Sequence, residues 1–308
     1  VWWAVPVLVL LLAGPATAEY AMAPVEVAPG VYAVITPTRE LPNPENRGWN
    51  SNSAFVVTGQ GVLVFDTGSS AAIGEALREA ISGITDEPVR WVVNSHGHGD
   101  HWLGNAAFAH PELEIIASPQ VRARIEREGT VWVERFARMT DGATGDSRIL
   151  VPNTLIDAPT GRRFGEIEVQ ILPSGSSHSP GDLMLWLPGR GVLIAGDVVY
   201  SDRMPSTNEA DVRQWRELLS ELIAMEPAVV IPGHGKLTDL EGLRRLQDLL
   251  EAFWIAVEQG YAAGKADYEM VADVLDALAT YRPYYPGLEE KVRRDLPHVY
   301  LRVEAANF

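Results

Sequence analysis

Apolar positions fall first into short runs and later into long stripes of helical spacing. The runs at 31–35, 54–58 and 62–65 read as strands parted by turns such as Gly59-Gln60-Gly61. Between the first two lies 41–51, a polar loop rich in Pro and Asn. In 70–81, Ile73, Leu77 and Ile81 recur every four residues, which predicts a helix with one apolar face. The unbroken apolar run 89–93 predicts a strand buried on both sides. A short strand at 114–117 and a long helix at 119–139 follow. Further strands are expected at 167–172, 184–187 and 192–195, then a helix at 211–225 and a strand at 228–231. From about Leu240 the pattern is helical, broken near 281–286.

Of the 308 residues, 46% are hydrophobic and 21% charged, which suits a globular chain with ample core and excludes a disordered one. There are 25 Lys and Arg against 41 Asp and Glu, a formal net charge of −16. So acidic a chain makes nucleic acid a poor partner, and a small molecule is the expected one. There is no cysteine, so thiol catalysis and thiolate ligation are excluded. Residues 1–18 are uncharged, centre on an apolar run and close on Ala16-Thr17-Ala18. They read as an export signal cleaved after Ala18, which predicts a periplasmic or secreted protein free of the membrane once processed. The oligomeric state is not legible.

The chemistry concentrates directly after the 89–93 strand, in Asn94-Ser95-His96-Gly97-His98-Gly99-Asp100-His101. In extended backbone His96 and His98 project to one side. Gly97 and Gly99 would let the chain turn tightly enough to aim His96, His98, Asp100 and His101 at one region. Only seven histidines occur in the chain, so this clustering points to a metal. Further ligands are expected at later strand ends, and three candidates stand there: His178, Asp197 at the close of 192–195, and His234 after 228–231. His110 and His298 lack such a setting and read as structural. Imidazole and carboxylate ligands point to zinc.

His96-x-His98-x-Asp100-His101, followed by His178, Asp197 and His234, resembles the metallo-β-lactamase superfamily. The segment from Asn52 to Gly68, with Phe65-Asp66-Thr67-Gly68, is similar to that family's opening, and the likeness covers roughly 30–240. It implies an α/β fold, a four-layer αββα sandwich with a metal cleft along one edge. The expected organisation is a catalytic domain over 19–239 and a helical C-terminal region over 240–308. It also implies two Zn²⁺ per chain, one held by His96, His98 and His178, the other by Asp100, His101 and His234, with Asp197 bridging. Asp197 in that place is similar to glyoxalase II and related thioesterases and lactonases. An exported chain with this ligand pattern and the tail from Val299 to Phe308 is similar to the zinc hydrolases of periplasmic quinoprotein and sulfur-oxidation systems.

The implied reaction is hydrolysis of a thioester or ester-like bond. Two zinc ions about 3.5–4 Å apart would share a water and bring its pKa from ~16 to about 7. The resulting hydroxide would attack a carbonyl carbon, with Asp100 orienting it. A lactam or lactone substrate is the alternative. Another class altogether is a mononuclear iron persulfide dioxygenase, which the complete second ligand set argues against. Asp66 either accepts a hydrogen bond from a ligand imidazole or anchors its turn. Trp49, Trp102 and Tyr200 are candidates for the pocket wall.

Overall fold

The computed structural model describes residues 20–307, so the expected signal 1–18 lies outside the described residues. The first sheet uses β1 (Val25–Ala28), β2 (Val31–Val34), β3 (Ser53–Val57) and β4 (Val62–Phe65). Helix α1 (Ala71–Ser82), β5 (Val89–Val93), the one-turn helix α2 (Gly99–Trp102), β6 (Glu114–Ala117), helix α3 (Pro119–Met139) and β7 (Thr154–Leu155) follow. The second sheet contains β8 (Thr160–Phe164), β9 (Ile167–Pro173), β10 (Leu183–Leu187), β11 (Val192–Tyr200) and, after helix α4 (Val212–Ala224), β12 (Val229–His234). Helices α5 (Leu240–Ala262), α6 (Val271–Ala277) and α7 (Leu288–Ala306) come last. No helix among the described residues is long and apolar enough to cross a membrane.

The first sheet runs in order from β1 to β7, antiparallel as far as β4 and parallel beyond it. The second has the order β12-β11-β10-β9-β8, parallel only between β11 and β12. Alternating strand residues feed different cores. Ala54, Val56, Leu63 and Phe65 face inward and meet Val169, Ile171, Leu185 and Ile194 of the other sheet. Phe55, Val62 and Val64 face outward onto Ile73, Leu77 and Ile81 of α1. On the far side Met184, Leu193 and Val230 carry α4 and the C-terminal helices. The result is the expected αββα sandwich.

Helix starts follow local chemistry. Ser70, Ser118 and Asp211 cap α1, α3 and α4, each side chain accepting from a backbone N–H three residues on. Two expectations need correction, and the short strands β1, β7 and β8 had no counterpart among them. Strand β5 is not buried on both sides along its length: only Val92 and Val93 are, while Arg90 is exposed at the sheet's rim. Strand β11 does not stop at residue 195 but continues to Tyr200, because Gly196, at φ +52°, bends the strand without ending it. The polar strand β8 went unread; it is an edge strand, and Arg162 pairs with Glu114 instead of packing a core.

The sheets are tied at the end where the ligands gather. The Asn52 N–H donates to the Gly233 carbonyl at 2.8 Å. Its amide donates to the carbonyls of Pro232 and Gly235 at 2.8 and 2.9 Å and accepts from the Thr36 N–H at 3.0 Å. Asn52→Ala would strand three buried backbone groups, so it is expected to lower stability by about 2–4 kcal/mol. Urea unfolding should show a lower midpoint with an unchanged slope.

Candidate metal centre

His96 and His98 leave the carboxyl end of β5, and His98 directly precedes α2, which carries Asp100 and His101. The glycines between them serve a different purpose from the tight turn expected of them. Neither has a positive φ. A Cβ on Gly97 would lie 2.5 Å from the Arg124 side chain, and one on Gly99 would lie 3.0 Å from the Trp132 Cβ, so both make room for α3. His178 sits in the turn joining β9 to β10. There the buried Asp182 carboxylate accepts from the His178 and Ser179 N–H groups at 3.1 and 2.9 Å. Asp197 lies within β11 just past the bend, and His234 closes β12. A Cβ on Gly233 would come within 2.0 Å of the Asp197 carboxylate, so only glycine leaves that carboxylate its place.

All seven side chains converge. In one group the His96 Nε2 lies 2.9 Å from the His98 Nδ1, which is 3.2 Å from the His178 Nε2. The Asp197 Oδ2 stands 3.7 and 3.4 Å from the His96 and His178 nitrogens. In the other, the Asp100 Oδ2 is 3.8 Å from the His101 Nε2 and 3.6 Å from the His234 Nε2. Asp197 reaches this group too, 3.3 Å from each histidine. Four ligands at 2.0–2.1 Å from a tetrahedral zinc would stand about 3.3 Å from one another, so both groups have the right size. The His101 Nε2 and the Asp197 Oδ1 are buried without a hydrogen-bond partner, as atoms reserved for a metal would be.

The protonation states agree. Burial holds His96 well below its usual range and His178 down at about 3, so both offer a neutral nitrogen. Burial favours the acid form of Asp197, but His234, His101 and His96 overcome it and keep the carboxylate ionised. At His101 burial is likewise overcome, by Asp197, Asp100 and Asp66, which raise the imidazole to about 10. A metal would replace that proton.

Outer contacts fix which ring nitrogen faces inward. The His101 Nδ1 is 2.7 Å from the Asp66 carboxylate, which also accepts from the Ser95 N–H and Oγ at 2.7 and 2.6 Å. Ser95 Oγ in turn lies 2.9 Å from the His96 Nδ1, so Asp66 orients one ligand of each group. Its backbone has φ +58° to do so. The His234 Nδ1 donates to the Asn50 carbonyl at 2.8 Å. The His98 Nε2 faces Glu209 at 3.5 Å, and Arg124 holds that carboxylate with two bonds of 2.5 and 3.0 Å. Asn50 also donates to the Asp100 Oδ2 at 2.9 Å. Sequence reasoning missed Asn50, Ser95, Arg124 and Glu209, for none stands in a motif that marks it. Among the described residues His178 alone of the ligand histidines lacks an outer partner, its Nδ1 being buried and unbonded.

The profile of the metallo-β-lactamase superfamily matches residues 46–234, more than half of the chain. The chain belongs to the metallo-β-lactamase superfamily. It is 23% identical over 283 residues to a linear primary-alkylsulfatase of Pseudomonas sp., covering 78% of this chain and about half, 53%, of that relative. Among solved structures, a metallo-β-lactamase from Pontibacter korlensis superposes with a TM-score of 0.62 at 19% identity, over 75% of this chain and 99% of that one. The stereoselective inverting sec-alkylsulfatase Pisa1 from Pseudomonas sp. gives 0.69 at 17% identity, over 91% of this chain and 50% of that one. These likenesses establish the fold.

The superfamily site opens into a cleft lined by His98, Asp100, His178, Asp197 and His234. Tyr200 is in that lining and donates to the Asp197 Oδ2 at 2.5 Å. Trp49 and Trp102 are not, contrary to expectation. Trp102 is fully buried in the cluster with Val121 and Ile125, and Trp49 packs edge-on against Tyr20. Their bulk serves the core. His110 is satisfied away from the cleft, its Nε2 donating to the Val89 carbonyl at 2.8 Å while its Nδ1 accepts from the Glu112 N–H. His298 is exposed on α7. Removing an outer partner should loosen the ligand it holds. Glu209→Ala and Asp66→Asn are each expected to weaken metal binding about 10–100-fold in chelator competition, and Glu209→Gln by less.

Proposed function

We propose that the chain is a dinuclear zinc hydrolase acting on a thioester or ester-like bond, with water-derived hydroxide attacking the carbonyl carbon. One observation carries the reading: two complete ligand groups share the Asp197 carboxylate, which reaches histidines of both within 3.7 Å. His96, His98 and His178 would hold one zinc, Asp100, His101 and His234 the other, with Asp197 between them. Two zinc ions so held would supply Lewis acidity and a nucleophile at neutral pH.

The chain's own groups do the rest. Asp100, fixed by Asn50, would orient the attacking oxygen as well as bind metal. Burial and the neighbouring Asp197 push the Tyr200 phenol well above its ordinary value, so it stays a donor and holds the carboxylate's orientation. A mononuclear iron oxygenase would leave Asp100, His101 and His234 without purpose, and their convergence supports hydrolysis instead. A second reading, sulfate-ester hydrolysis, is supported by the sec-alkylsulfatase likeness, which spans 91% of the chain where the lactamase spans 75%. Lactones and lactams are the remaining candidates.

A panel of thioesters, lactones, cephalosporins and alkyl sulfates, given to zinc-loaded protein, tests the reading, with thioester turnover the expected result. Asp197→Ala should lose zinc and at least about 100-fold in kcat/KM. An active variant with unchanged metal content would refute the bridging role. His110→Ala should stay within about twofold in both measurements, as expected of a surface substitution away from the site.

A further inference from the structure

Two of the cations that line the cleft stand out. Arg203, in the segment between β11 and α4, is only 6% exposed, and Lys291 on α7 is half-buried; both line the cleft. Neither forms an ion pair among the described residues. The Arg203 guanidinium lies 3.0 Å from the His234 Nδ1, but that nitrogen already donates to the Asn50 carbonyl and has no lone pair to offer. Nearby Arg294 is different, because Asp295 neutralises it through bonds of 2.5 and 2.9 Å. Asp100 and Asp197 are committed to the metal groups.

Burying a charge without a partner is costly, and a guanidinium cannot escape by shedding its proton. Lys291 feels the same setting. Burial, with Arg203 and Arg294 nearby, brings its ammonium down to about 8 despite Asp295 and Asp197. In a chain of net charge −16, two cations beside the metal groups that form no ion pair among the described residues are not a general surface property. The opposite end of the cleft is walled by aromatic and apolar side chains, with the exposed Arg135 guanidinium over the Trp132 ring, 5.1 Å from its centroid. Trp132 packs edge-on against His98 with ring centroids 5.6 Å apart, and Phe136 and Met139 extend that wall along α3. The cationic end adjoins His234 and the aromatic end adjoins His98, so the ligand groups lie between them.

We propose that Arg203 and Lys291 form an anion-binding subsite that takes a carboxylate or sulfate group of the substrate, whose apolar part lies against Trp132, Phe136 and Met139. The substrate class is therefore an amphipathic anion, and this specificity rests on the hydrolase reading above. The C-terminal helical region supplies one of the two recognition groups.

The test uses the zinc-loaded full chain and two readouts. For turnover, the ratio of kcat/KM on 4-nitrophenyl hemisuccinate to that on 4-nitrophenyl butyrate should fall at least about tenfold in Lys291→Met, and further in Lys291→Glu. For binding, calorimetry with hexanoate and with hexyl sulfate should show at least one of them held about tenfold more tightly by the unmodified protein than by Lys291→Met or Arg203→Met. Whichever anion shows the loss names the group recognised. Equal binding of both anions to all three proteins, at matching zinc content and Tm, would overturn the subsite. Lysine-dependent binding without turnover of either ester would support it while counting against ester hydrolysis.

Discussion

Five imidazoles and two carboxylates are packed at one end of the sandwich with inner atoms 2.9–3.8 Å apart. Groups so crowded and so buried repel or go unbonded unless a cation lies among them. The rest of the site serves to hold that arrangement. Asp66, Ser95, Asn50 and Glu209 each occupy the outward nitrogen of a ligand ring, leaving the inward one with its lone pair. Asp66 reaches two rings, His101 directly and His96 through Ser95, from a backbone conformation that an aspartate adopts at some cost.

The fold delivers these groups by having two sheets end at the same place. Strand β5 and the short helix after it bring four ligands from one sheet, while the β9–β10 turn, β11 and β12 bring three from the other. Asn52 ties the β12 end to the first sheet, and the Leu183 N–H donates to the Ser95 carbonyl at 2.7 Å across the same gap. Glycine matters where backbones or side chains must approach: at Gly233 beside Asp197, and at Gly97 beneath Arg124. The C-terminal helices complete the outer layer on the second sheet, and through Lys291 they also reach the cleft.

Much of this was legible in the sequence because strand ends and metal ligands both leave local signals. Apolar runs closed by His or Asp marked where the sheets deliver side chains. What escaped notice depends on contacts distant along the chain. Glu209 and His98 are 111 positions apart, as their numbers show, and no spacing rule joins them. Gly97 and Gly99 were read as turn-makers, yet they answer to α3, whose packing no local pattern reveals. Gly196-Asp197 was taken for a strand end because glycine punctuates both a strand's end and a bend within it. Aromatic residues gave the weakest guidance: Tyr200 reaches the cleft, whereas Trp102 and Trp49 fill cores.

The central claim is that two metal ions sit on either side of one carboxylate. Anomalous scattering from crystals of protein purified without added metal, recorded above and below the zinc edge, tests it most directly. Two zinc peaks are expected, one among His96, His98 and His178 and one among Asp100, His101 and His234, with Asp197 between them. A single peak, or a signal at the iron edge in its place, would contradict the account.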